Sequence, residues 1–148
     1  MGKFIYILIF VLFCSGCGFE ESRLIPKNDY AQLFVQKKLD GDVEYKKVWD
    51  KKKINKIIDL LNSVSVETPG NQQTKEIRSK VNGKGAYILS FLTQKDLDNR
   101  TTKSIFYLAL LENGRIVYSN HNDREMIIQL VSVKKKTKLV KKIIEKIY

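Results

Sequence analysis

Ten consecutive apolar residues, Phe4 to Phe13, stand near the start of this chain and decide how much of it is left to fold. As a helix the run rises ~1.5 Å per residue and reaches ~15 Å, half of the ~30 Å hydrocarbon core of a bilayer. It follows the positive charge of Lys3 and closes on the small residues Ser15 and Gly16. Charge, short apolar run and small-residue cleavage site, in that order, mark a secretory leader rather than a transmembrane helix. Residues 1–16 are therefore expected to be removed, with the cut between Gly16 and Cys17. Taking them from 148 leaves 132 residues, which suits one domain with a real core and is too few for two.

Cys14 and Cys17 are the only cysteines. Small side chains precede Cys17, whereas Leu12 and Phe13 precede Cys14, so Cys17 fits a peptidase site and Cys14 does not. The stretch Cys14-Ser15-Gly16-Cys17-Gly18 resembles the lipobox of bacterial lipoproteins in its Gram-positive form, with Cys14 where those proteins usually carry an aliphatic residue. The resemblance implies a diacylglyceryl thioether on Cys17, membrane lipid as its partner, and a protein anchored on the extracytoplasmic face of the cell membrane. Two acyl chains, at ~0.8 kcal/mol per buried CH₂, meet the two-signal requirement for stable anchoring. With Cys14 removed and Cys17 acylated no thiol remains for a disulfide, so the fold rests on packing. One histidine, no second cysteine and no dense carboxylate loop leave nothing with which to build a usual zinc or calcium site, and neither a metal nor a cofactor is expected.

Cys17 and the mixed stretch Gly18 to Asn28 read as a lipidated flexible tether, residues 17–28; the competing reading packs Leu24 and Ile25 on the domain as an extra edge strand. Residues 29–148 then form one domain. Tyr30 to Leu39 and Val43 to Val48 alternate as two strands around an Asp40-Gly41 hairpin turn. Trp49, the sole tryptophan, is expected to plug the core where strand meets helix. Asp50 caps a helix, residues 51–62, with Ile54, Ile57, Ile58 and Leu61 on one stripe. Residues 63–74 read as a polar loop, and 75–81 as a strand alternating Ile77, Ser79 and Val81 with charged residues. A central strand is expected over Ala86 to Thr93, a charged connection over 95–103, a buried strand over 104–111, and a partner strand after Asn113-Gly114. His121 to Arg124 then turn into a last strand with Met126, Ile128 and Leu130 on its apolar face. Ser132 is expected to cap a closing helix striped by Leu139, Val140, Ile143, Ile144 and Ile147. The order predicts an α+β fold: a mainly antiparallel sheet of six to seven strands with two amphipathic helices packed on one face.

The formal charge is +11, or +10 once Lys3 is lost with the leader. Lys134, Lys135, Lys136, Lys138, Lys141, Lys142 and Lys146 surround the closing helix against Glu145 alone, and are the candidate contacts to an anionic surface. The same charge also serves solubility alone. No nucleophile, P-loop or zincin motif is present and His121 is the only imidazole, so an enzyme is not expected. Together with the lipobox, the layout carried by VEYKKVWDKKKINKIIDLLN, GAYILSF and YLALLENGRIVYSN resembles the small YhfM-like lipoproteins of bacilli, which implies localisation and fold and brings no catalytic residue with it. The expected role is a non-enzymatic, membrane-anchored one towards an envelope protein or polymer. The alternative is a basic domain that binds anionic lipid, wall polymer or nucleic acid directly, the last without recognisable base-stacking motifs. Oligomeric state is not legible in the sequence.

Overall fold

The computed structural model describes residues 24–26, 28–100, 106–122 and 125–148; the leader region, with Gly16 and Cys17, lies outside them. The fold is α+β. Seven strands, β1 (Tyr30–Lys38), β2 (Val43–Val48), β3 (Val66–Glu67), β4 (Tyr87–Thr93), β5 (Phe106–Leu110), β6 (Ile116–Asn122) and β7 (Glu125–Ser132), form one sheet in the order β2-β1-β4-β5-β6-β7-β3, with every pairing antiparallel. The helices are α1 (Lys51–Asn62), α2 (Asn71–Asn82), the single-turn α3 (Gln94–Asp98) and α4 (Thr137–Ile147). None of the described helices is long and apolar enough to cross a membrane.

Alternation along the strands sends side chains to two separate cores. On one face Leu33, Val35, Leu89, Phe91, Leu108, Leu110, Ile116 and Tyr118 pack with Ile54, Ile57, Ile58 and Leu61 of α1 and Val140, Ile143 and Ile147 of α4. On the other, Ile88, Ala109, Leu111, Val117 and Val131 meet Ile77 and Val81 of α2. At roughly 1.5–3 kcal/mol for each large aliphatic side chain removed from water, the first face carries most of the stabilisation.

Helix α2 replaces the loop and strand expected over 63–81. Ile77 and Val81 are four residues apart, a separation that fits one face of a helix as well as one face of a strand, and the straight-chain residues between them, Arg78 and Lys80, favour the helix. The expected strand over 75–81 is not formed, and the strand of this region is β3, two residues long, within the stretch expected to be a loop.

Three other expectations change. Ser132 caps nothing: α4 starts five residues later from Lys136, and the Ser132 hydroxyl is buried, accepting the backbone N–H of Ile116 at 3.1 Å. In β7 a bulge opposite Tyr118 and Ser119 skips Gln129, so Ile128 and Leu130 pack against different cores and Val131 becomes the fully buried residue. The fold also begins upstream of Asp29, because Ile25 is fully buried and held at both backbone groups by the Asn62 side chain, at 2.8 and 3.1 Å. Leu24 packs partly against the same core, and neither residue joins the sheet.

The β5–β6 turn is tied to α4. Gly114, at φ +82°, donates its N–H to Leu111 and accepts from Lys136, and a Cβ added there would lie 2.5 Å from the Thr137 hydroxyl. Glycine is therefore required both by the backbone conformation and by the helix start pressed against it.

Candidate functional site

The apolar stripes of α1 and α4 are buried in the same core, which turns the remaining faces of both helices outward. On α1 this exposes Lys51, Lys52, Asn55, Lys56 and Asp59, with Lys53 half-buried. On α4 it exposes Lys138, Lys141, Lys142 and Glu145, with Lys146 half-buried, and just ahead of the helix Lys134 and Lys135 are exposed and Lys136 half-buried, Lys135 at the cleft beside Glu76 of α2. The two stretches, 51–62 and 134–147, hold eleven lysines against two carboxylates, Asp59 and Glu145, and so carry nine of the chain's eleven net positive charges. The rest of the chain is close to neutral. Among the described residues the only ion pair made by a lysine of this layer is Lys51 with the exposed Asp29, at 2.9 Å.

The lysines named from the sequence around α4 therefore form half of a larger surface. The missing half is the first two turns of α1, whose lysines are far away in sequence and come alongside only because both helices cover one sheet face. Asp50 makes their position tolerable: its carboxylate accepts the N–H groups of Lys52 and Lys53 at 2.9 and 3.1 Å, offsetting three cations where the helix dipole disfavours them. The layer is pinned beneath by Tyr118, whose buried hydroxyl donates to the Leu61 carbonyl at 2.8 Å, and burial raises the pKa of that phenol far above its ordinary value.

An apolar groove of about 420 Å³ opens beside α4, lined by Tyr87, Leu111, Val140 and Ile144 with Lys141, Glu112 and Glu145 among its polar groups. Glu145 is the one acid of α4, so the groove interrupts the lysine surface instead of extending it. A smaller polar cleft lies between α2 and the start of β6, where Arg115 donates to the carbonyls of Ser132 and Val133 and lies 3.9 Å from Glu67. Those carbonyl bonds make Arg115 a tie between strands. Glu76 at the same cleft has its pKa lowered, first by the hydrogen bond from Lys80 and then by the charges of Lys80, Arg115 and Lys135.

Trp49 is not the core plug expected of it. It lies between the end of β2 and the cap Asp50, and is 58% exposed. Its neighbour Val48 is the residue buried in the core at this junction. Among the described residues no group of three or more His, Cys, Asp or Glu side chains is close enough to hold a metal ion. His121 belongs to β6 by its backbone and not to a turn. No protein-family profile matches the chain, and no curated protein or solved structure matches it.

Proposed function

We propose that this protein is an extracytoplasmic lipoprotein, held at the membrane through Cys17, whose α1/α4 layer captures an anionic polymer of the cell envelope without performing catalysis. The observation that carries the reading is the segregation of charge: nine of eleven net positive charges belong to two stretches, 51–62 and 134–147, whose helices α1 and α4 share one side of the sheet. Lysines kept only for solubility need no such placement, and a scattered charge gives the same colloidal benefit. The lysines extend from a rigid platform because the stripes beneath them are buried, so a polymer meets a fixed array rather than a flexible tail. The lipobox resemblance supplies the location, and in that location phosphate-rich wall polymers are the polyanions at hand.

The chain from Leu24 to Tyr148 contains every described residue of both cores and serves for the test. It is expected to bind a poly(glycerol phosphate) chain with an affinity that falls steeply as salt rises, since each lysine–phosphate contact releases a condensed counterion. Failure to bind at low salt, or binding indifferent to salt, overturns the reading. Conversion of Cys17 to Ser in the full chain is expected to release the protein from membranes or halt its maturation, and unchanged fractionation contradicts the anchor.

A further inference from the structure

The edge of the sheet at β2, the outermost strand among the described residues, has a chemistry of its own. Among the described residues six large apolar side chains are exposed, and four of them, Leu39, Tyr45, Trp49 and Tyr148, belong to the β1–β2 hairpin and its ends or lie against it. Tyr45 stacks on Phe34 of β1, centroids 5.6 Å apart, and still leaves 61% of its surface in solvent. Tyr148, following α4, comes back over the hairpin: Lys46 Nζ lies 5.5 Å and Lys37 Nζ 6.0 Å from its ring centre. Trp49 is ~10 Å further along the strand direction from Lys46, at ~3.3 Å per residue. Lysines 46, 47, 51 and 52 interleave with these aromatics.

Two locally unfavourable features therefore meet in one place. A tryptophan is left largely in water, and three lysines occupy the first turn of α1, at the positive end of the helix dipole, with the cap Asp50 as the one carboxylate set against them there. Tryptophan and tyrosine suit a protein interface and a membrane interface alike, because each has an apolar body and a polar tip. Lysine separates the two cases: it is depleted from protein interfaces and favoured beside anionic lipid, where its stem lies along apolar surface and its ammonium reaches the headgroups. Lysines along an edge strand also discourage pairing with a strand of another chain.

We infer that the β2 edge, with Trp49 at its end, is a docking rim that settles into the headgroup region of an anionic bilayer and sets the sheet edge-on to the membrane. The inference rests on the membrane-anchored half of the function proposed above; the rim shares Lys51 and Lys52 with the polymer-binding layer, while Lys46 and Lys47 belong to the rim alone. It leaves Lys134 to Lys138 at least ~15 Å along α4 from Tyr148, at 1.5 Å per residue, and so clear of the rim.

Trp49 is the only tryptophan in the chain, which makes its fluorescence an unmixed reporter. The full chain is reconstituted into vesicles of phosphatidylcholine alone or of phosphatidylcholine with phosphatidylglycerol, each with and without brominated acyl chains. The expected result is a blue-shifted emission quenched by bromine in the anionic vesicles, and a red, unquenched emission in the zwitterionic ones. The Lys46→Glu, Lys47→Glu double variant is expected to lose both shift and quenching in anionic vesicles. Emission that stays red in anionic vesicles, responds equally in the two compositions, or survives the double variant overturns the rim. Loss of polymer binding by the Leu24–Tyr148 chain leaves this result standing, and a red Trp49 with polymer binding intact removes the rim alone.

Discussion

The two faces of the sheet are closed by helices of very different character. On one side α1 and α4 insert seven buried aliphatic side chains into the larger core, and α1 is capped by Asp50. On the other, α2 inserts Ile77 and Val81 only, starts from Gly70 without a side-chain cap, and draws on the Glu76–Lys80 ion pair one turn apart. The strongly built side is also the basic side. A platform that presents six net charges on adjacent helices must withstand their mutual repulsion, and the deep burial of the stripes beneath supplies that resistance. Helix α2 carries no such load, and two buried residues suffice to close its face.

This contrast is open to disruption from either side. Ile143→Ala, at a fully buried position of the larger core, is expected to cost about 4 kcal/mol, against about 2 kcal/mol for Ile77→Ala beneath α2, where a small core at the sheet surface can settle into the space. Urea unfolding of the Leu24–Tyr148 chain gives both numbers, and equal costs would mean that the two faces are equally built. Tyr118→Phe removes the bond to the Leu61 carbonyl and is expected to cost about 1–2 kcal/mol at neutral pH. Its pH dependence has a definite sign. Burial raises this phenol above the ordinary 10.0, so the unfolded chain ionises first; the stability it contributes is complete below pH 10 and drains as the pH climbs from there towards the folded-state value. The wild type should therefore lose stability above pH 10 and the phenylalanine variant should lose less, and parallel alkaline curves would show that Tyr118 has no part in it. The smallest effects concern the caps. Asp50→Ala is expected to cost about 1 kcal/mol, while Gly70→Ser, at an extended backbone position with open space around it, should add a few tenths to α2. A gain at Gly70 as large as the loss at Asp50 would mean that α2 was limited by its cap and not by its core.

The same contrast explains what could be read in advance. Helices α1 and α4 carry four and five apolar residues at helical spacing, a pattern no strand shares, and both were legible from the sequence. In α2 the two buried residues stand four apart with Ser79 midway between them, so helix and strand fit equally well, and only the propensity of Gln72, Gln73, Lys75, Glu76, Arg78 and Lys80 distinguishes them. The strand at β7 was legible but its facing was not, because a bulge that skips one residue reverses the alternation beyond it. At the candidate site the lysines of α4 were legible as a group. Their partnership with Lys51, Lys52, Lys53 and Lys56 was not, since it depends on α1 and α4 covering the same side, a tertiary fact. Trp49 misled for a related reason: a large aromatic between strand and helix usually fills the core, and here its neighbour Val48 is buried while the indole faces solvent.

The central claim, that charge is placed and not merely accumulated, is tested most directly by moving an equal charge change from one face to the other. Reversing Lys138, Lys141 and Lys142 to Glu changes the net charge of the Leu24–Tyr148 chain by the same amount as reversing Lys75, Arg78 and Lys84 to Glu in and beside α2, and all six side chains are exposed. At ~1 kcal/mol for each basic residue beside an anionic surface, the first variant should bind poly(glycerol phosphate) on the order of 100-fold more weakly than the wild type. The second should stay within about threefold of it, because each Debye length of ~8 Å separating those residues from the polymer screens most of their attraction. Equal losses in the two variants would contradict the account, and would reduce the lysine layer to a share of the overall charge.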